Sequence, residues 1–155
     1  MKKHLGLTVA FLAISLPAFA GLGSDKALYV GGTVSALKEG TEGTMSTKDE
    51  KQLVFGYKKD QQFTIPYDRI NSLEYGQKAG RRVGLAIAVT PVALLSKKRR
   101  HYLTINFLDA NDKQQAAVFE LGKNIVRVTL SSLEARTGRK IEYQDEEARN
   151  SSKGN

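Results

Sequence analysis

The residues of this chain whose types and spacing could carry a function are concentrated in one segment. Arg81-Arg82 is followed by the uncharged stretch Val83 to Ser96 and then by Lys97-Lys98-Arg99-Arg100. Such a pattern suits contact rather than catalysis. Apolar side chains can enter the acyl boundary of a membrane while Arg and Lys meet phosphate headgroups, each worth about 1 kcal/mol near an anionic surface. As one straight helix the uncharged stretch would be about 21 Å long, short of the roughly 30 Å hydrocarbon core, so it does not cross a bilayer alone. Thr90-Pro91 reads as a break, with Thr90 as an N-cap and Pro91 opening a second turn. A helix-turn-helix or hairpin would return the chain to its starting side and leave both basic clusters at its base. The candidate contact residues are Arg81, Arg82, Val83, Leu85, Ile87, Val89, Pro91, Val92, Leu94, Leu95, Lys97, Lys98, Arg99 and Arg100. Two alternatives stand beside membrane contact. The same segment could pack against an envelope protein or a second copy, or Val83 to Leu95 could cover the domain's own barrel, in keeping with its Gly and Ala content.

Other chemistry-bearing residues read as structural. The chain has no Cys, which removes disulfides, thiolate metal sites, cysteine catalysis and lipoprotein anchoring. Downstream of the first twenty residues, His101 is the sole histidine, with no second His or Cys to complete a metal set, and it reads as a surface strand residue. Asp109 and Asp112 flank a hairpin as turn formers, and no serine sits in a nucleophile elbow. Gly31-Gly32 lacks phosphate-loop spacing and reads as a strand bulge. No catalytic residue, metal or cofactor is expected.

The elements that would present the charged segment begin with an address. Met1 to Ala20 has a basic head at Lys2 and Lys3, an apolar run from Leu5 to Leu16, the breaker Pro17, and Ala18-Phe19-Ala20 as a processing site. This is the pattern of a secretory signal peptide cleaved after Ala20, and it predicts a periplasmic or extracellular protein. Without Lys2 and Lys3 the formal charge falls from +8 to +6. No acidic residue lies between Glu74 and Asp109, whereas Lys78, Arg81, Arg82 and Lys97 to Arg100 contribute +7 there, so the rest of the mature chain carries −1. Export and the apolar centre of the segment both argue against a nucleic-acid partner, which would need aromatic stacking platforms among the cations.

With 155 residues and 41% hydrophobic content, one domain with its own core is expected. Short β-favouring runs separated by turn signals predict strands at 27–34, 43–47, 52–57, 62–66 and 70–75, then at 101–108 and 114–121. In Leu53-Val54-Phe55-Gly56-Tyr57 and in Leu103-Thr104-Ile105-Asn106-Phe107 alternate residues share one face. Lys58-Lys59-Asp60 and Asp109-Ala110-Asn111-Asp112 are turns. From Asn124 the period becomes helical through Ile125, Val126, Thr129, Leu130 and Leu133, with Asn124 as N-cap, Gly138 as C-cap, and packing needed to hold the β-branched residues. Residues 140–143 can dock one more extended piece, and 144–155 reads as a disordered polar tail.

Seven short antiparallel strands closed by a C-terminal amphipathic helix resemble the pleckstrin-homology (PH) superfold. The segment Phe63-Thr64-Ile65-Pro66-Tyr67-Asp68-Arg69-Ile70-Asn71-Ser72-Leu73-Glu74-Tyr75-Gly76 is similar to bacterial PH-like and GRAM-like domains, in which a strand ends, a short turn follows and an Ile leads the next strand. The resemblance covers roughly residues 27–143 and implies a mainly β barrel or sandwich, with the segment at 81–100 as an insertion. Phosphoinositide-binding members carry basic residues on the first two strands and their connection. Here that connection reads Ser35-Ala36-Leu37-Lys38-Glu39-Gly40-Thr41-Glu42, with Lys38 answered by two acids, so no phosphoinositide site carries over. The expected organisation is a signal peptide at 1–20, a PH-like domain at 21–143 and a tail at 144–155. The expected function is non-catalytic attachment to an anionic membrane surface or an envelope protein.

Overall fold

A computed structural model describes residues 26–78 and 100–153. The described strands are β1 (Ala27–Gly32), β2 (Thr41–Ser46), β3 (Gln52–Tyr57), β4 (Gln61–Pro66), β5 (Ile70–Gly76), β6 (His101–Leu108), β7 (Gln114–Leu121) and β8 (Ile141–Tyr143). They form one sheet in the order β4-β3-β2-β1-β7-β6-β5-β8. Every pairing is antiparallel except that of β8, which lies parallel to β5. The sheet is therefore mixed and has eight strands, where seven antiparallel ones were expected. The eighth is the extended piece at 140–143, a crossover strand that follows a helix and so can run parallel to its neighbour. The signal-peptide reading and the contact segment at 81–99 lie outside the described residues.

The strand pattern follows the side chains. Leu53 and Phe55 of β3 are buried with Tyr57 partly so, and Leu103, Ile105 and Phe107 of β6 are buried on the same alternate positions. Phe119 on β7 gathers the aromatic centre of the core, edge-on to Tyr29 at 5.6 Å and tilted against Phe55 at 5.0 Å. β1 ends at Gly32 rather than at Val34. Gly31 and Gly32 have φ of 156° and 147°, and the β1–β7 register shifts between Tyr29 and Gly31, which is the expected bulge. β2 changes partner midway: Thr41 to Gly43 pair with β1, Thr44 to Ser46 with β3. A Cβ on Gly43 would lie 2.2 Å from the Gly56 carbonyl oxygen, so this change of partner requires glycine.

Two 3-10 turns and two helices complete the described residues. The turn η1 (Tyr67–Arg69) joins β4 to β5, and η2 (Lys123–Ile125) precedes α1 (Val126–Thr137). Asn124 thus falls inside η2, and Ile125 occupies the N-cap position without a side-chain cap bond. The apolar stripe is as read: Val126, Thr129, Leu130 and Leu133 are buried, and the off-stripe Val128 is 64% exposed. Gly138 closes α1 in the left-handed conformation at φ 67°, its N–H donating to the Glu134 carbonyl. Arg136 lies over the Tyr67 ring at 5.6 Å and helps to seat α1 on η1.

The expectation of disorder after residue 143 is corrected for 146–152, which form a second helix, α2 (Glu146–Ser152). Asp145 caps it by accepting from Ala148 N at 2.7 Å, Glu146 and Glu147 occupy its first turn, and Ala148 is fully buried in the main core. The inward face of this short helix is made by Ala148 and, one turn on, Ser152, both buried. The capping signal Asp145-Glu146-Glu147 was present in the sequence and outweighs the lack of larger apolar residues.

Candidate functional site

The candidate site is the place where the charged segment leaves and rejoins the sheet. β5 and β6 are antiparallel neighbours, and Gly76 pairs with Tyr102. Lys78 and Arg100 therefore depart from strands about 4.8 Å apart. Of the candidate contact residues only Arg100 is described. It faces inward to the protein: its guanidinium donates to both carboxylate oxygens of Glu120 on β7, at 3.0 and 2.8 Å. The Arg100 side chain is 24% exposed and that of Glu120 7%. The Glu120 hydrogen bond raises the Arg100 pKa further above its already high value. The acid could have been found in sequence, since a glutamate between Phe119 and Leu121 in a buried strand needs a cation from a neighbouring one.

His101 follows directly. It is half-buried rather than a surface residue, with Nδ1 hydrogen-bonded to Tyr75 Oη at 2.5 Å and its ring stacked on that of Tyr75 at 6.1 Å. Burial, and secondarily the charge of Lys123, lower the imidazole pKa. Burial raises that of the Tyr75 phenol, against the opposing hydrogen bond from Ser151. Both groups are thus neutral near pH 7. Tyr75 Oη is also 3.2 Å from Ser151 Oγ on α2, so β5, β6 and α2 converge on one buried hydroxyl.

The other side of the root is held by Gln144, between β8 and α2. Its backbone N–H donates to the Tyr75 carbonyl at 3.0 Å, and its Nε2 donates to Glu74 Oε1 at 3.2 Å and to the Lys78 carbonyl at 3.0 Å. Gly76 makes room for this side chain, because a Cβ there would lie 1.8 Å from Gln144 Cδ. None of these partners could be assigned by spacing, since Gln144 and Glu74 are distant in sequence.

Beside the root, the sheet face turned away from the main core carries a small buried cluster of Val30, Tyr102 and Val118, with Leu28 against it. The Tyr102 hydroxyl is buried without a hydrogen-bond partner among the described residues. At the opposite end of β6, Asp109 behaves as a turn former. Its carboxylate accepts from the N–H groups of Asn111 and Lys113 and from Gln115 Nε2, and these bonds, that from Gln115 foremost, lower its pKa. Asp112, at φ 57°, pairs with Arg69 at 2.6 Å.

Taken together, the described residues define a mainly β domain with a C-terminal helix, and a braced root from which a basic-flanked apolar segment departs and to which it returns. No protein-family model matches the chain, and no curated protein matches it either. Among the described residues no helix is long and apolar enough to cross a membrane, and no group of three or more His, Cys, Asp and Glu could hold a metal.

Proposed function

We propose that the chain is an exported, non-catalytic PH-like module that attaches to the anionic surface of the envelope membrane through residues 81–99. The observation that carries the reading is the pairing of Gly76 with Tyr102, which brings both ends of the segment together. An apolar centre then enters and leaves the lipid boundary from one side, with Arg81, Arg82, Lys97, Lys98 and Arg99 at the headgroups. Arg100 acts as the anchor of the root, through Glu120, rather than as a headgroup contact. The PH-like and GRAM-like resemblance supports the reading through the order of seven strands and a helix.

Co-sedimentation with vesicles tests it. Binding is expected to anionic vesicles and to fall steeply on neutral ones. Reversing Lys97 and Lys98 to Glu is expected to weaken binding by at least about thirtyfold, at about 1 kcal/mol per cation removed. Equal binding to both vesicle types, or to neither, refutes it.

A second reading is favoured by the buried cluster of Val30, Tyr102 and Val118 on the face away from the core. In it, Val83 to Leu95 covers this face. Deleting those residues then lowers the melting temperature and leaves vesicle binding unchanged, the reverse of what the membrane reading expects.

A further inference from the structure

The two edges of the sheet are finished differently. β8 is three residues long, its Ile141 N–H is taken by Glu134 Oε1 of α1, and α2 packs against it. β4 is six residues long and, among the described residues, pairs only with β3. Its pairing register, together with the bond from Tyr67 N to the Lys51 carbonyl, fixes the alternation along the strand. The backbone groups of Gln61, Phe63 and Ile65 point to β3. Those of Gln62 and Thr64, and the Pro66 carbonyl, point outward, with no partner among the described residues. Natural edges of this length are ordinarily blunted by charge, a bulge or a cover. From Gln61 to Ile65 there is no charged residue and no bulge, and the strand's one proline, Pro66, stands at its very end, beyond the outward groups of Gln62 and Thr64.

The ends of the strand are charged, and with opposite signs. The β3–β4 turn carries Lys58 and Lys59 against Asp60, a net positive charge, and η1 carries Asp68; Lys58 and Asp68 are exposed, and neither forms an ion pair among the described residues, whereas the neighbouring Arg69 is taken by Asp112. Lys58 and Asp68 lie five positions before and after Phe63.

We propose that β4 pairs antiparallel with β4 of a second copy of this chain about a two-fold axis at Phe63. In this register Gln62 of each copy lies opposite Thr64 of the other, so the outward N–H and C=O groups are exchanged reciprocally at both positions. Phe63 meets its own counterpart at a non-hydrogen-bonded position, where side chains approach most closely. Lys58 of each copy is brought to the end that carries Asp68 of the other, a complementarity present twice because the contact is isologous. An apolar groove of about 430 Å³, lined in part by Phe63, Pro66, Phe107 and Leu108, adjoins the edge and can receive side chains of the second copy. η1 and the root of the charged segment are at opposite ends of β5, about 20 Å apart, so pairing at β4 does not require the segment at 81–99.

The test is sedimentation velocity of the processed protein from micromolar to millimolar concentration. A monomer–dimer equilibrium is expected. Thr64→Pro removes an outward N–H without touching the β3 ladder, and should give a monomer with its melting temperature little changed. Lys58→Glu should weaken dimerisation by about tenfold, two symmetric attractions becoming repulsions. The double variant Lys58→Glu/Asp68→Lys should regain the dimer, which keeps the test decisive even if Thr64→Pro fails to fold. A monomer at every concentration, a dimer indifferent to these changes, or a charge swap that does not restore it overturns the proposal. A dimer lost only on deletion of Val83 to Leu95 overturns it as well.

Discussion

The fit of Gly76 to Gln144 predicts a substitution whose sign depends on its neighbour. A Cβ at Gly76 would meet Gln144 Cδ and Oε1 at 1.8 Å and Cγ at 2.5 Å, and it meets no backbone atom as closely. Gly76→Ala therefore expels a flexible side chain rather than breaking the strand. With it go the bonds from Nε2 to Glu74 and to the Lys78 carbonyl. A hydrogen bond to a charged group is worth about 1.5–3 kcal/mol and a neutral one about 1 kcal/mol, so the loss is about 3 kcal/mol. Alanine in place of glycine within a strand returns about 0.5–1 kcal/mol. The net expectation is a destabilisation of about 2 kcal/mol. Gln144→Ala alone should lose the same bonds and cost a similar amount. In the Gln144→Ala background the three atoms nearest to the added methyl of Gly76→Ala are gone, and the substitution is expected to become neutral or stabilising by up to about 1 kcal/mol. A double-mutant cycle in urea, read as midpoints at constant slope, should give a coupling near 3 kcal/mol. Equal costs for Gly76→Ala in both backgrounds would refute the argument, and with it the bracing of the root by Gln144.

Three further outcomes follow from other contacts. Gly43→Ala has no such escape, because its Cβ would meet the Gly56 carbonyl at 2.2 Å and the Phe55 ring at 2.9 Å; a loss of about 2–3 kcal/mol is expected by thermal unfolding, in every background. His101 has its pKa lowered in the fold, so its contribution is complete above the unfolded value of about 6.5 and is lost as pH falls through the folded value; between pH 7 and 5 the protein should lose stability, and His101→Gln should flatten that slope. Asp145→Ala removes the cap of α2 and should cost about 1 kcal/mol, with faster amide exchange at Ala148 and Arg149 as the local readout; unchanged exchange there would contradict the cap.

The strands were legible because period-two burial is written directly into runs such as 101–108, and the helix because 126, 129, 130 and 133 fall on one stripe. Turn residues were legible for the same local reason: Lys58, Asp60 and Asp112 adopt positive φ where the sequence has its polar turns. The parallel docking of β8 was not, since three residues hold no information on direction. Nor were the braces of the root. Tyr75 with Ser151 and Glu74 with Gln144 join residues whose proximity arises only when the sheet is assembled, whereas Glu120 in a buried strand at least signals the need for a cation. The tail's helix is hard to see in composition because a short helix on a nearly complete core needs a cap and small inward residues, here Asp145, Ala148 and Ser152, rather than large apolar ones.

The pairing of Gly76 with Tyr102 also sets what the protein owes to the chain between them. Adjacent antiparallel strands need no more than a tight turn, and the entropy of closing a loop grows only with the logarithm of its length. Replacing residues 79–99 by a four-residue turn, which keeps Lys78, Arg100 and His101 in place, should therefore return about 1 kcal/mol of closure entropy. Any loss of stability in such a shortened chain, added to that figure, measures what the connection gives to the folded domain. If nothing is lost, its sequence is free of folding duties and open to replacement by another length or composition on the same frame.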